Sequence, residues 1–254
     1  MHIESLGTGP DLVLLHGWAM HGGVFAPLTR RLQRRFRLHL VDLPGHGRSR
    51  DDASDLAPAA CAARLAERLP RALWLGWSFG GLVALHLALD RPACARGLVA
   101  VAASPRFVLA PDWPHGVAHA LFAEFGAGLT RDYRATIERF LALEALGSDH
   151  AQAELRELKT HVFERGEPAL AALQDGLRLL EATDLRARLP QLTVPSLWLA
   201  GRRDRLVPAQ AMRWAAAQSP QGRFVEFSSG HAPFPGHAAD VADAIVEFAA
   251  TLPP

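Results

Sequence analysis

Gly76-Trp77-Ser78-Phe79-Gly80 is the first place in this chain where residue types and spacing could do chemistry. The apolar run Leu73-Trp74-Leu75 leads into it, and Gly81-Leu82-Val83-Ala84-Leu85 follows. That order reads as a buried strand, an abrupt turn and a helix. A turn this sharp strains the serine backbone and is tolerable only where the neighbours lack side chains. Gly76 and Gly80 supply that room, so Ser78 Oγ can stand above the sheet edge as a nucleophile. The Phe79 N–H then points into the same space at a helix N-terminus, where negative charge is favoured. The plain alternative is an ordinary glycine-bearing loop. A base, an acid that orients it and a second oxyanion donor decide between the two.

The base is expected to be a histidine on the loop after the last strand. Among twelve histidines, His231 in Gly230-His231-Ala232-Pro233-Phe234 follows the strand pattern Arg223–Phe227 and is flanked by a small residue. His237 competes, but it lies on the approach to the final helix. The acid is expected one strand earlier, and Gly201-Arg202-Arg203-Asp204-Arg205-Leu206 supplies Asp204 to accept the Nδ1 proton of His231. His16-Gly17-Trp18, after an early strand, offers the Trp18 N–H as partner to that of Phe79. The side chains of Trp18, Trp77, Phe140 and Leu206 are expected to wall an apolar pocket. Gly45-His46-Gly47 is not completed to a dinucleotide fingerprint, and no His-Glu-x-x-His or Cys-x-x-Cys cluster occurs, so no cofactor and no metal are expected.

The elements that must position these residues alternate. Leu12–Leu15, Leu38–Val41, Leu73–Leu75 and Gly97–Ala102 read as strands separated by helical patterns, which predicts a parallel sheet with crossover helices. From about Trp113 to Arg188 only amphipathic helical patterns appear; in Arg131–Leu146, Tyr133, Ile137, Phe140, Leu141 and Glu144 keep helical spacing. Strands resume at Ser196–Ala200 and Arg223–Phe227, and a helix over Asp240–Ala250 closes the chain. The expected organisation is an α/β core over residues 1–106 and 191–254, with an all-helical lid inserted over 107–190.

At 254 residues, 49% hydrophobic and 21% charged, the composition fits one folded α/β domain with an insert rather than disorder. A formal charge of +1 recommends neither nucleic acid nor a membrane as partner. Cys61 and Cys94 are too few for a disulfide framework and read as free thiols. The first residues show no basic region followed by an apolar one, and no membrane-spanning run follows, so the cytoplasm is the expectation. A monomer is expected too, though nothing in the sequence sets the oligomeric state.

With these pieces together the chain resembles the α/β-hydrolases over its full length; Ser…Asp…His is the order in which that superfamily strings its triad. More narrowly it is similar to the esterases that act on pimeloyl-[acyl-carrier protein] methyl ester in biotin synthesis. Leu14-Leu15-His16-Gly17-Trp18, Leu38–Gly45, Trp74–Ser78 and, in the lid, Glu138-Arg139-Phe140-Leu141-Ala142-Leu143 carry the likeness. The chain departs from that pattern at Phe79, where leucine is expected, and at His46, where phenylalanine can stand. The resemblance implies a triad of Ser78, Asp204 and His231, oxyanion amides on Trp18 and Phe79, and a substrate site that also includes Phe140, Leu141, Ala142, Leu143 and Glu144. It further implies that Arg139, Arg156 and Lys159 meet an acidic acyl carrier protein, and that small esters are accepted beside the carrier-linked one. Lactonases, thioesterases and C–C bond hydrolases share such a triad, and a non-catalytic member of the fold is the reading from a different class.

Overall fold

Seven strands hydrogen-bond into one sheet in this computed structural model, which describes residues 1–253. They are β1 (His2–Leu6), β2 (Asp11–Leu15), β3 (Arg37–Asp42), β4 (Ala72–Trp77), β5 (Ala95–Val101), β6 (Ser196–Gly201) and β7 (Gly222–Phe227). Their spatial order is β1-β3-β2-β4-β5-β6-β7. All neighbours are parallel except β1, which runs antiparallel to β3 with Ile3 opposite Val41. The sequence predicted six of these strands. β1 escaped because its five residues, His-Ile-Glu-Ser-Leu, form a half-exposed edge and carry no apolar run. The central strands do carry such runs: β4 and β6 are buried at every residue, as expected of strands covered by helices on both faces.

The helices are α1 (Ala26–Leu32), α2 (Pro58–Ala66), α3 (Phe79–Asp90), α4 (His119–Arg131), α5 (Tyr133–Ala145), α6 (Ala151–Val162), α7 (Leu170–Ala182), α8 (Ala209–Gln218), the one-turn α9 (Pro233–Gly236) and α10 (Ala238–Ala250). α4 to α7 form the stretch between β5 and β6. Asp132 caps α5 by accepting from the Ala135 amide at 3.1 Å. The apolar faces of these four helices, including Phe122, Phe125, Ile137, Phe140, Leu158, Leu173 and Leu177, are continuous with the core on the sheet. Polar ties fix the seam: Trp18 Nε1 donates to Leu173 O at 2.8 Å, the Ala169 amide to Gly45 O at 2.8 Å, and Arg165 to Asp42 and Glu4. No helix among the described residues is long and apolar enough to cross a membrane.

The register sets up the site. Leu15 lies opposite Gly76, Gly76 opposite Ala100, and Gly201 opposite Phe227, so the loops after these strands leave the C-terminal edge together. At that edge α3 presses onto β2, and a Cβ on Gly80 would lie 2.2 Å from Leu15 O. Gly80→Ala is therefore expected to destabilise the fold by about 3 kcal/mol, because backbone on both sides cannot yield. Gly126, inside α4 with open space around its Cα, should behave oppositely: Gly126→Ala gains about 0.5–1 kcal/mol of stability. Thermal melts of the two variants, one falling and one rising against wild type, check both.

Candidate active site

Ser78 caps α3 with φ 54° and ψ −118°, a left-handed conformation unusual for a residue with a side chain. Its amide donates to Val101 O at 2.9 Å and its carbonyl accepts from the Gly81 amide at 2.9 Å, so the neighbouring strand and the helix over-determine the strained turn. Phe79 is the first residue of α3, and its N–H is one of the four that a helix leaves without an internal acceptor. The loop after β2 closes the other side: a Cβ on Gly17 would sit 3.2 Å from Ser78 Cβ and 3.1 Å from the Trp77 ring. Trp18 follows in a turn in which the Met20 amide reaches Gly17 O at 3.3 Å and Ala19 takes φ 65°.

This loop is braced by a histidine that the spacing did not single out for a role. His16 is fully buried, with Nε2 3.0 Å from the Leu43 N–H and Nδ1 2.8 Å from Gly17 O. An amide can only donate, so Nε2 accepts and the ring proton sits on Nδ1, bonded to Gly17 O. Burial, with the neighbouring His46 adding to it, lowers His16 to about 3, and the ring stays neutral. His46 is lowered to about 4, again chiefly by burial; its Nδ1 is 2.9 Å from Pro44 O, and its buried Nε2 has no partner among the described residues.

Asp204 and His231, predicted from the loops after β6 and β7, meet at 2.8 Å between Oδ2 and Nδ1. Asp204 Oδ1 accepts from the Leu206 and Val207 amides at 2.8 and 2.9 Å, a nest that no side-chain pattern announced. With the carboxylate as acceptor, His231 Nδ1 carries the ring proton and Nε2 keeps its lone pair. That Nε2 is buried and without a hydrogen-bond partner among the described residues, so its lone pair is unspent and no bond to Ser78 Oγ is formed in this state. The His231 main chain is held as well: its amide donates to Glu144 O at 2.8 Å and its carbonyl accepts from Trp77 Nε1 at 2.9 Å. His237 lies apart, with its ring 5.6 Å from that of His150 and Nδ1 3.5 Å from Asp240.

The remaining residues expected at the site divide by placement. Phe140 meets Trp18 edge-on at 4.6 Å and Phe125 at 5.4 Å, an aromatic wall from α4, α5 and the β2 loop. Leu141 is buried, Leu143 is partly buried against the core, and Ala142 faces solvent on the far side of α5. Leu206 is buried beside the carboxylate that its own amide holds. Glu144, one helical turn beyond Phe140, is fully buried with both carboxyl oxygens unpartnered among the described residues. Burial, and then the charge of Asp204, raises it well above the usual carboxylate range, which keeps it an uncharged acid. Of the three basic residues expected to meet a carrier, Arg139 pairs with Glu124 at 2.9 Å and Lys159 with Glu138 at 2.7 Å, while no ion pair of Arg156 occurs among the described residues. No group of three or more His, Cys, Asp or Glu among the described residues could hold a metal ion.

Comparison with known proteins agrees in kind. The model of the alpha/beta hydrolase family matches residues 12–244. A pimeloyl-[acyl-carrier protein] methyl ester esterase from Xanthomonas oryzae pv. oryzae is 58% identical over 254 residues, covering 100% of both chains. One from Stenotrophomonas maltophilia is 54% identical over 100% of this chain and 98% of its own. Among solved structures, an esterase from Exiguobacterium antarcticum superposes with a TM-score of 0.89 at 22% identity, over 98% of this chain and 95% of that one, a likeness of fold.

The neutral histidines make stability depend on pH. His16 and His46 take up protons near 6.5 when unfolded but only near about 3 and about 4 when folded. Between these values the unfolded chain binds more protons, so their contribution is complete above the unfolded value and drains as pH falls toward the folded one. His46→Phe removes one such site along with its orphaned nitrogen. Its melting temperature should fall less than that of wild type between about pH 7 and about pH 4.5, by calorimetry in matched buffers.

Proposed function

This chain belongs to the alpha/beta hydrolase family, and we propose that it is a serine carboxylesterase that cleaves the methyl ester of pimeloyl-[acyl-carrier protein] to the free acid and methanol, a step of biotin synthesis. The observation that carries the substrate assignment is the end-to-end identity of 58% with a relative bearing that name. The chemistry is supported by Ser78 on its strained turn and by a base whose Nδ1 is engaged by Asp204 while Nε2 is free.

In this reading His231 Nε2 takes the proton of Ser78 as Oγ attacks the ester carbonyl, and the Trp18 and Phe79 amides receive the oxyanion. The tetrahedral intermediate collapses, His231 returns the proton to methoxide, and methanol leaves. Water, deprotonated by the same imidazole, then attacks the acyl-serine carbonyl, and Ser78 departs with its proton restored. Residues 107–190 act as the lid, and Phe140, Trp18 and their neighbours enclose the acyl chain. The carrier protein meets the basic residues of α5 and α6, with Arg156 free to pair and Arg139 and Lys159 exchanging partners. The enzyme works as a cytoplasmic monomer without cofactor or metal, and short esters enter the same site.

Two measurements test this. Ser78→Ala should lower turnover of the carrier-linked methyl ester by about 10⁶-fold while the protein still melts cooperatively. Arg139→Ala, Arg156→Ala and Lys159→Ala combined should raise KM for that ester by about tenfold and leave p-nitrophenyl acetate within about twofold. Equal losses on both esters would remove the carrier contact from the proposal.

A further inference from the structure

Trp77 was expected to line the pocket, yet its surroundings give it a different task. It ends β4, directly before Ser78, and is fully buried. Its ring stands edge-on to Phe234 at 5.2 Å and 88°, and 5.8 Å from the His231 imidazole. Phe234 in turn lies 5.3 Å from Phe25, so the indole is wedged between the end of its strand and α9. In that wedge Nε1–H points at one acceptor, the main-chain carbonyl of His231 at 2.9 Å. Resting on the reading of Ser78 and His231 as nucleophile and base, we propose that Trp77 is a positioning residue that sets the distance between them.

His231 is held at three atoms, its amide, Nδ1 and main-chain carbonyl. Its amide is fixed by Glu144 O on α5, and its Nδ1 by Asp204 on the β6 loop. Neither element carries the nucleophile. The Trp77 indole is the tie that runs from the strand bearing Ser78 to the base. Because Trp77 and Ser78 are consecutive, a displacement of the β4 terminus moves Oγ and the donor to His231 O together, and the base follows the nucleophile. Proton transfer tolerates little error in heavy-atom separation, so such a tie bears on kcat rather than on substrate capture. Removing the N–H also leaves the His231 carbonyl buried without this donor, which favours rearrangement of the base loop.

The test replaces the donor and keeps the shape. Trp77→β-(3-benzothienyl)alanine substitutes sulfur for the indole N–H, Trp77→Phe serves if that variant does not fold, and Phe234→Leu loosens the ring packing while retaining the donor. Turnover of p-nitrophenyl acetate is measured per Ser78 titrated with a fluorophosphonate, together with the low-field proton resonance of His231 Nδ1. The donor-less variants should lose about tenfold in kcat with KM within about twofold, and their resonance should shift or broaden. Phe234→Leu should lower the melting temperature and keep kcat within about threefold. A donor-less variant with wild-type kcat or an unchanged resonance overturns the role, as does an equal kcat loss in Phe234→Leu. Failure of wild type to label at Ser78 would instead sink the serine-esterase reading, and failure on the carrier-linked ester alone would sink only the substrate.

Discussion

The close approach of α3 to the end of β2 is the constraint on which the site depends. Helix and strand meet at backbone distance, with room at Gly80 for a hydrogen and nothing larger before Leu15 O. To bring the helix in so tightly the chain must reverse within one residue, and Ser78 absorbs the reversal at φ 54°. Strain of this kind costs on the order of 1–3 kcal/mol and persists only if the surroundings leave no relaxed alternative. Here the Val101 carbonyl holds the Ser78 amide on the strand side, and α3, buried at every residue from Phe79 to Leu85, packs against β4, β5 and α2. The geometry of Ser78 is thus a consequence of core packing rather than of any contact made by its side chain.

A second consequence follows for charge. The space above the strand ends is dry enough that ionisable groups there must be neutral or fully paired. His16 and His46 are neutral because burial outweighs their attraction to Asp42, and Glu144 keeps its proton for the same reason, reinforced by Asp204. Asp42 is the paired case, accepting from the Gly22 and Arg48 amides and facing Arg165. Asp204 is the other, held by two amides and one imidazole. In the proposed reaction its charge lies where the His231 imidazolium forms, so that cation is met by a carboxylate already in place.

How much of this could be read in the sequence follows from which forces are local. Apolar runs closed by glycine report buried parallel strands, and Leu12–Leu15, Leu73–Leu75 and Ser196–Ala200 lie within β2, β4 and β6. The post-strand positions of Asp204 and His231 are equally local, since each lies a few residues beyond a strong strand signal. Edge strand β1 was illegible because exposure removes the apolar pattern, and α9 because four residues cannot express a helical period. The closing helix begins at Ala238 rather than Asp240, a shift within the ordinary uncertainty of helix ends. Long-range hydrogen bonds left no trace at all. Trp77 Nε1 to His231 O spans 154 positions, and Trp18 Nε1 to Leu173 O spans 155. Both tryptophans look like pocket walls in sequence, because an aromatic ring announces area and says nothing about where its one polar atom is spent.

The aromatic cluster around Phe140 and the main chain of His231 are not independent parts. Phe140 and Glu144 share one face of α5; the first packs on Trp18, and the second hands its carbonyl to the His231 amide. A rotation or slide of α5 that moved Phe140 away from Trp18 would therefore drag on the main chain of His231. Interior packing is too dense to absorb such a motion in isolation. Helix α5 is also pinned at its far side, where Lys159 on α6 pairs with Glu138 and Arg139 with Glu124 on α4. Those exposed pairs contribute little to stability, so a partner bringing acidic side chains could exchange them at small cost. A surface that can re-pair its charges thus sits on the helix whose other face packs Phe140 on Trp18 and hands the Glu144 carbonyl to His231. In the proposed reaction a docking partner therefore has a short mechanical path to Ser78 and His231.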